Sequence, residues 1–229
     1  MKKALLATLL ITFVSINIGI CEANSDEKGA ISEGTNGWKK YDNPAVGISF
    51  KYPSDIILLK KDDYNIDPEK THMKVVICNI GETNAPMDLN KEDARRNIEA
   101  LTGGKFGVEY DFPFPLSKKV KSVGFLFAQD YIVLMRFDMC DVSLERSFLF
   151  YYNNKQIIIT LYAPINKLKK TMPEYFVVNK EMCGNYKMWN MDKQNEFYKK
   201  LVAGNGSKVI QNWYNSFDQI CEDIIFAHR

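Results

Sequence analysis

Residues 120–162 read VKSVGFLFAQDYIVLMRFDMCDVSLERSFLFYYNNKQIIITLY, and this stretch decides the fold. Four runs rich in β-branched and aromatic residues follow one another: Val120 to Ala128, Tyr131 to Met139, Glu145 to Tyr152 and Gln156 to Tyr162. Such side chains suit a pleated, half-buried surface. Gln129-Asp130 and Asn153 to Lys155 supply the short polar connections of tight hairpins. In the second run Tyr131, Val133, Met135 and Phe137 point one way, the period of a strand. Strands joined by short turns build an antiparallel meander, and Pro164 closes it.

Upstream, Val46, Ile48, Phe50 and Tyr52 alternate with Gly47, Ser49 and Lys51 until Pro53 stops the strand. Ile56 to Leu59 is a further short strand, and Asp62 to Thr71 is a polar loop. Met73 to Ile80 reads as a strand buried on both faces. A helix of about three turns follows, and its ends are marked. Asn90 is its cap, and Asp93 favours the N-terminal dipole. Leu89 and Ala94 hold the staple positions, Ala94, Ile98 and Leu101 form a stripe, and Gly103-Gly104 ends the helix.

From Ile165 onward the pattern turns helical. Phe197 and Leu201 are a turn apart, and Gly204-Asn205-Gly206 separates two helices. The last helix carries the clearest period: Val209, Trp213, Phe217, Ile220 and Ile224 on one side, with Cys221 at the edge. Gln211, Asn212, Asn215, Asp218 and Glu222 fill the other side. At a length of ~30 Å it spans one face of the meander. The expected class is α+β, an antiparallel sheet with helices packed on its faces and a helical C-terminal part.

The N-terminus adds a location. Lys2 and Lys3 precede an apolar run from Ala4 to Ile20, and Cys21-Glu22-Ala23 offers a cleavage site. The expected organisation is a signal peptide over 1–23, a polar linker over 24–37, and one α+β domain over 38–229 whose segment 166–229 is helical. Export to the periplasm or medium follows, with no membrane span in the mature chain. Lipidation at Cys21 is disfavoured by the bulky Ile20 directly before it; an uncleaved anchor is the third alternative.

Removing Lys2, Lys3 and Glu22 takes the basic count from 30 to 28 and the acidic count from 28 to 27, a net charge of +1. That balance offers no electrostatic case for nucleic acid or anionic lipid. The cysteines left are Cys78, Cys140, Cys183 and Cys221, and an even number in an exported chain favours two disulfides. Three connectivities are open. The preferred one joins Cys183 to Cys221 and Cys78 to Cys140; the first bond would close a loop of about 40 residues, worth ~3–4 kcal/mol in the chain-entropy model. Buried free thiols are the alternative.

Candidate chemistry is sparse. The only histidines are His72 and His228, so no HExxH site forms and a histidine-based triad is disfavoured. Asp138, Asp141 and Glu145 sit near one turn and Asp62, Asp63 and Asp67 near another, but neither group has EF-hand spacing, and a solvated turn explains each. Asn205-Gly206-Ser207 fits a glycosylation sequon, though a turn explains it fully. No residue is assigned a catalytic, cofactor-binding or metal role.

The phrase Trp38-Lys39-Lys40-Tyr41-Asp42-Asn43-Pro44-Ala45-Val46-Gly47-Ile48-Ser49-Phe50-Lys51-Tyr52-Pro53 resembles the opening of PsbP-like, Mog1-type domains, which include many exported bacterial proteins of unassigned role. Trp213-Tyr214-Asn215-Ser216-Phe217 is similar to the Ser-Phe that often closes them. The resemblance implies an α+β sandwich that binds a protein partner rather than performing catalysis. The four cysteines and the long segment from Asn166 to Lys208 depart from that pattern. Trp38 and Tyr41 are expected to fold as an aromatic lid over the open end of the sheet, with an exposed, partner-binding role as the alternative. The leading expectation is a non-catalytic binding or assembly module of the cell envelope. An exported hydrolase with a dispersed carboxylate site and a calcium-dependent binder are the alternatives.

Overall fold

A computed structural model describes residues 29–33, 37–60, 63, 66–79, 90–101, 104–106, 109–136, 142–178, 180–185 and 187–227. The expected leader over 1–23, Cys21, Cys140, Asp62, Asp138, Asp141 and His228 lie outside the described residues. The fold is α+β, with antiparallel and mixed sheets and several helices, the last of them near the C-terminus.

A small sheet is built from β1 (Ala30–Glu33), β2 (Trp38–Asn43), β3 (Ile48–Pro53) and β14 (Ile225–Phe226), in that spatial order. In β3 the alternating sequence becomes alternating burial: Ile48, Phe50 and Tyr52 are buried, while Lys51 is exposed. The turn from β2 follows from Asn43, whose Oδ1 accepts the Val46 N–H at 3.2 Å while its carbonyl accepts the Gly47 N–H at 2.8 Å. Gly47 completes that turn at φ 81°, where a side chain would be strained.

The large sheet contains β4 (Ile57–Leu58), β5 (His72–Asn79), β6 (Gly104–Phe106), β7 (Glu109–Pro113), β8 (Lys119–Val123), β9 (Leu126–Arg136), β10 (Val142–Tyr152) and β11 (Lys155–Tyr162). Their order is β4-β5-β11-β10-β9-β7-β6, with β8 also paired to β9. All these ladders are antiparallel except β4 with β5. The expected meander is present, with two corrections. The hairpin between its first two strands turns at Gly124-Phe125, not at Gln129-Asp130, which lie buried inside β9. The middle of β5 is only half-buried rather than enclosed on both faces. The other hairpin turns at Asn153-Asn154, both with positive φ, as a tight β-hairpin requires.

Helix α1 (Lys91–Ala100) begins as expected, with Asn90 Oδ1 accepting the Asp93 N–H at 2.9 Å, and it buries Ala94 and Ile98 against β8 and β9. C-terminal to the meander come α2 (Ile165–Thr171), α3 (Lys180–Cys183), the ribbon of β12 (Phe176–Val178) with β13 (Lys187–Trp189), and α4 (Gln194–Val202). Then α5 (Lys208–Glu222) packs on β3 and β10. Its 15 residues are shorter than the expected rod, about 22 Å at 1.5 Å per residue, because the chain turns into β14. Ile210 replaces Val209 in the buried stripe, followed by Trp213, Tyr214, Phe217, Ile220 and Cys221. The Trp213 indole N–H donates to the Leu161 carbonyl at 3.2 Å. At ~1.5–3 kcal/mol per large apolar side chain, this stripe stabilises the docked helix by several kcal/mol.

Two expectations about side chains are corrected here. Trp38 and Tyr41 form no lid: both belong to β2, where Tyr41 is buried and stacks on Phe50 with 4.8 Å between ring centroids, and Trp38 is half-buried. Cys221 is a free, buried thiol, so the Cys183–Cys221 bond does not form. Cys140, the partner of Cys78 in the preferred pairing, lies outside the described residues.

Candidate functional site

The strand periodicity places four charges in contact. In β10 the even positions Leu144, Arg146, Phe148 and Phe150 face the core, and β9 sends Asp130, Ile132 and Leu134 to the same side. Register sets Arg146 opposite Ile132 and Phe148 opposite Asp130, making arginine and aspartate diagonal neighbours within reach of long side chains. On the other flank Lys121 lies opposite Ala128, diagonal to Asp130. Helix α5 lays Tyr214, Phe217 and Asp218 over the group.

Arg146 binds Asp130 in bidentate fashion, Nε donating to Oδ1 at 2.9 Å and Nη2 to Oδ2 at 2.7 Å. Nη2 also donates to Asp218 Oδ1 at 2.8 Å, and Nη1 to the Tyr214 carbonyl at 3.0 Å. The guanidinium lies 4.2 Å from the Tyr214 ring centroid and 4.9 Å from that of Phe217. Lys121 Nζ sits 3.1 Å from Asp130 Oδ2 and also pairs with Asp218. Arg146 and Asp130 are each only 2% exposed, so neither charge is solvated by bulk water.

Burial opposes charge on Asp218, yet hydrogen bonds from Arg146 and Lys121 outweigh it and hold the carboxyl below its ordinary range. The same balance raises Lys121 and Arg146: desolvation disfavours their charged forms, and the two carboxylates more than compensate. Two cations and two anions leave the cluster neutral, the condition under which buried ions are tolerable. An aspartate kept anionic in this way has no proton to give as a general acid. The geometry is that of a clamp fixing β8, β9, β10 and α5. Beside it, burial pushes the Cys221 thiol well above its ordinary range, which favours the protonated form over the nucleophilic thiolate.

A second feature lies where the β8–β9 hairpin meets β14. Phe125, at the hairpin tip, is 70% exposed, and Ile225 is 60% exposed. The Phe125 ring is 5.4 Å from Phe226 and 6.2 Å from Tyr152, while Tyr152 and Phe226 lie 4.7 Å apart. The Tyr152 hydroxyl donates to the Ala227 carbonyl at 2.8 Å. Gly124 has φ 56°, and a Cβ there would stand 3.1 Å from the Phe226 ring, so the tip is held against the strand beneath it. This is an apolar projection on a packed aromatic base.

The residues singled out in the sequence do not converge. Trp38 and Tyr41 are strand residues of the small sheet. Glu145 is buried within β10 and accepts from the Ser143 hydroxyl at 2.5 Å. Asp63 accepts the Lys60 N–H at 3.2 Å, and Asp67 accepts the Glu69 N–H at 3.0 Å and pairs with Lys70. His72 is 3% exposed at the start of β5, and burial lowers its pKa. Among the described residues no group of three or more His, Cys, Asp or Glu is arranged to hold a metal ion. The pairing of Arg146 with Asp130 escapes a reading of the sequence, where its signal is two opposite charges on core-facing positions of apolar strands. Phe125 escapes it too, signalled only by a glycine before a phenylalanine inside a β pattern.

No family model and no curated protein matches this chain. Among solved structures, the solution structure of cyanobacterial PsbP (CyanoP) from Synechocystis sp. PCC 6803 is similar, with a TM-score of 0.38 and 13% identity over 62% of this chain and 91% of that one. Among the described residues no helix is long and apolar enough to cross a membrane.

Proposed function

We propose that the chain is an exported, non-catalytic binding or assembly module of the cell envelope, related to PsbP-like domains. The leader over 1–23 supports export, and the opening phrase from Trp38 to Pro53 supports the relationship. One observation carries the binding role: Phe125 and Ile225 stand exposed on a base already ordered by Tyr152 and Phe226. A pre-ordered aromatic projection loses little conformational entropy when it enters a partner's pocket, which is how interface anchors gain their weight. The partner is a protein offering an apolar pocket. The clamp around Arg146 belongs to stability in this reading, since its charges are spent on one another.

A photo-crosslinking residue at position 125, compared with one at exposed Glu222, tests the assignment in envelope extract. The expected result is a discrete adduct formed from position 125 alone. Excess wild-type protein should suppress it, and excess of the double variant Phe125→Ser with Ile225→Ser should not. Equal labelling from both positions, or none from 125, removes the anchor. The hydrolase alternative is not favoured by the described carboxylate pair, because Asp130 and Asp218 are held by two cations rather than poised around a cleft.

A further inference from the structure

The motif Asn205-Gly206-Ser207 is unused by the binding reading, and its setting is chemically specific. It joins α4 to α5. Gly204 has φ 74°, and the Asn205 N–H donates to the Lys200 carbonyl at 2.9 Å, which closes α4 and leaves Asn205 exposed. Among the described residues no hydrogen bond engages the Asn205 carboxamide or the Gly206 N–H. Glycine brings no Cβ to shield that nitrogen. The Ser207 hydroxyl lies 2.9 Å from Thr171 Oγ1, so it does not cover the joint either.

We propose that Asn205 is a site of spontaneous deamidation and isomerisation in the folded protein. The Gly206 nitrogen attacks Cγ of Asn205, a C–N bond forms, and the carboxamide nitrogen leaves as ammonia, carrying the proton that Gly206 loses. The resulting five-membered imide takes up one water. Opening at the side-chain carbonyl gives aspartate, and opening at the main-chain carbonyl gives isoaspartate. No oxidant, metal or cofactor enters the balance.

The two products act differently on α5. Aspartate sets a carboxylate just before a helix whose first turn has no acid and whose N-cap side chain makes no capping bond, where negative charge is favourable. Isoaspartate lengthens the main chain by one carbon beside a glycine with no spare room. A Cβ on Gly206 would meet Ile210 Cγ2 at 3.0 Å, Gln211 Oε1 at 3.2 Å and Leu201 Cδ1 at 3.5 Å. The modification therefore strains the α4–α5 joint in one product and not in the other.

The test incubates the purified, folded protein in mildly alkaline buffer and digests samples at acidic pH. The peptide spanning position 205 is followed by mass spectrometry and by enzymatic methylation of isoaspartate, beside the same peptide synthesised free. The expected result is conversion in the folded protein at a rate comparable to that of the free peptide, with a mixture of the two acids, and its loss in Asn205→Gln. Retention of the Asn205 amide in the folded chain while the free peptide converts overturns the proposal, since the fold would then protect the site. The wild-type measurement needs no variant to fold, and its outcome does not depend on any binding partner.

Discussion

Replacing Arg146 by methionine is the sharpest test of the clamp. The substitution keeps a long apolar stem in the core but removes the guanidinium that makes three hydrogen bonds to Asp130 and Asp218 and one to the Tyr214 carbonyl. The cluster then holds one cation against two carboxylates, and Asp130 is almost wholly buried. Breaking a buried ion pair from one side costs about 3–5 kcal/mol, chiefly because the remaining charge is stranded. Lys121 remains 3.1 Å from Asp130, which places the expectation at the lower end, about 3 kcal/mol. For a chain of this size each kcal/mol moves the melting temperature by about 2–4 °C, so the loss is about 6–12 °C. Guanidinium unfolding read by far-UV circular dichroism and by tryptophan fluorescence measures it. Combining Arg146→Met with Asp130→Leu removes both members of the bidentate pair and should recover much of the loss, because apolar replacement of a whole buried pair is often close to neutral. A single variant that loses less than about 1 kcal/mol, the level of a surface pair, would refute the reasoning.

Acid should weaken the fold through two groups. The folded pKa of Asp218 is depressed, so its contribution is complete above the unfolded value of about 3.9 and is lost as pH falls through the folded value. His72 is buried in its neutral form, and its depressed pKa makes the unfolded chain bind the proton first. Stability from it is therefore full above about pH 6.5 and declines below; His72→Gln should flatten that limb of a melting-temperature profile against pH. Cys221 should resist thiol reagents in the native state, and Cys221→Ser should leave non-reducing electrophoretic mobility unchanged, since the thiol is free; a mobility shift would show that it takes part in a bridge. Asn90→Ala should cost about 1 kcal/mol by removing the cap of α1, and an unchanged denaturation midpoint would show that helix to be held by packing alone.

Much of the architecture was legible because it is written in period. The alternation in Ile48 to Tyr52, the meander, the Asn90 cap and the apolar stripe of α5 are local patterns, and each is present in the structure. The misreadings share another origin. Gln129-Asp130 looks like a turn because polar residues avoid strand interiors; only a partner sixteen residues away, Arg146, makes Asp130 admissible there. Trp38 and Tyr41 read as a lid because large aromatics are so often buried, yet pairing with β3 stacks Tyr41 on Phe50. An even cysteine count invites pairing, but Cys221 lies on the inner face of α5, where burial alone accounts for it. The exposed Phe125 was hard to read for a similar reason: only the preceding Gly124 distinguishes Phe125 at a hairpin tip from Phe127 inside the following strand.

The clamp and the apolar end are connected through α5. Asp218 ties the helix to the large sheet, and at its C-terminus Asp223 accepts the Lys51 N–H at 2.7 Å, fixing it to β3. The chain then enters β14, where Ile225 pairs with Ser49 and Phe226 with Ile48, and Phe226 supports Phe125. Seating the helix and forming the aromatic base are thus consecutive parts of one covalent path. A change at Arg146 that loosens α5 should disorder the Phe125 projection without touching it, whereas Phe125→Ser should abolish docking with the denaturation midpoint almost unchanged, as expected for an exposed side chain. If both variants lowered stability alike, Phe125 would be a core residue in effect, and the projection would owe its place to the interior rather than to a partner.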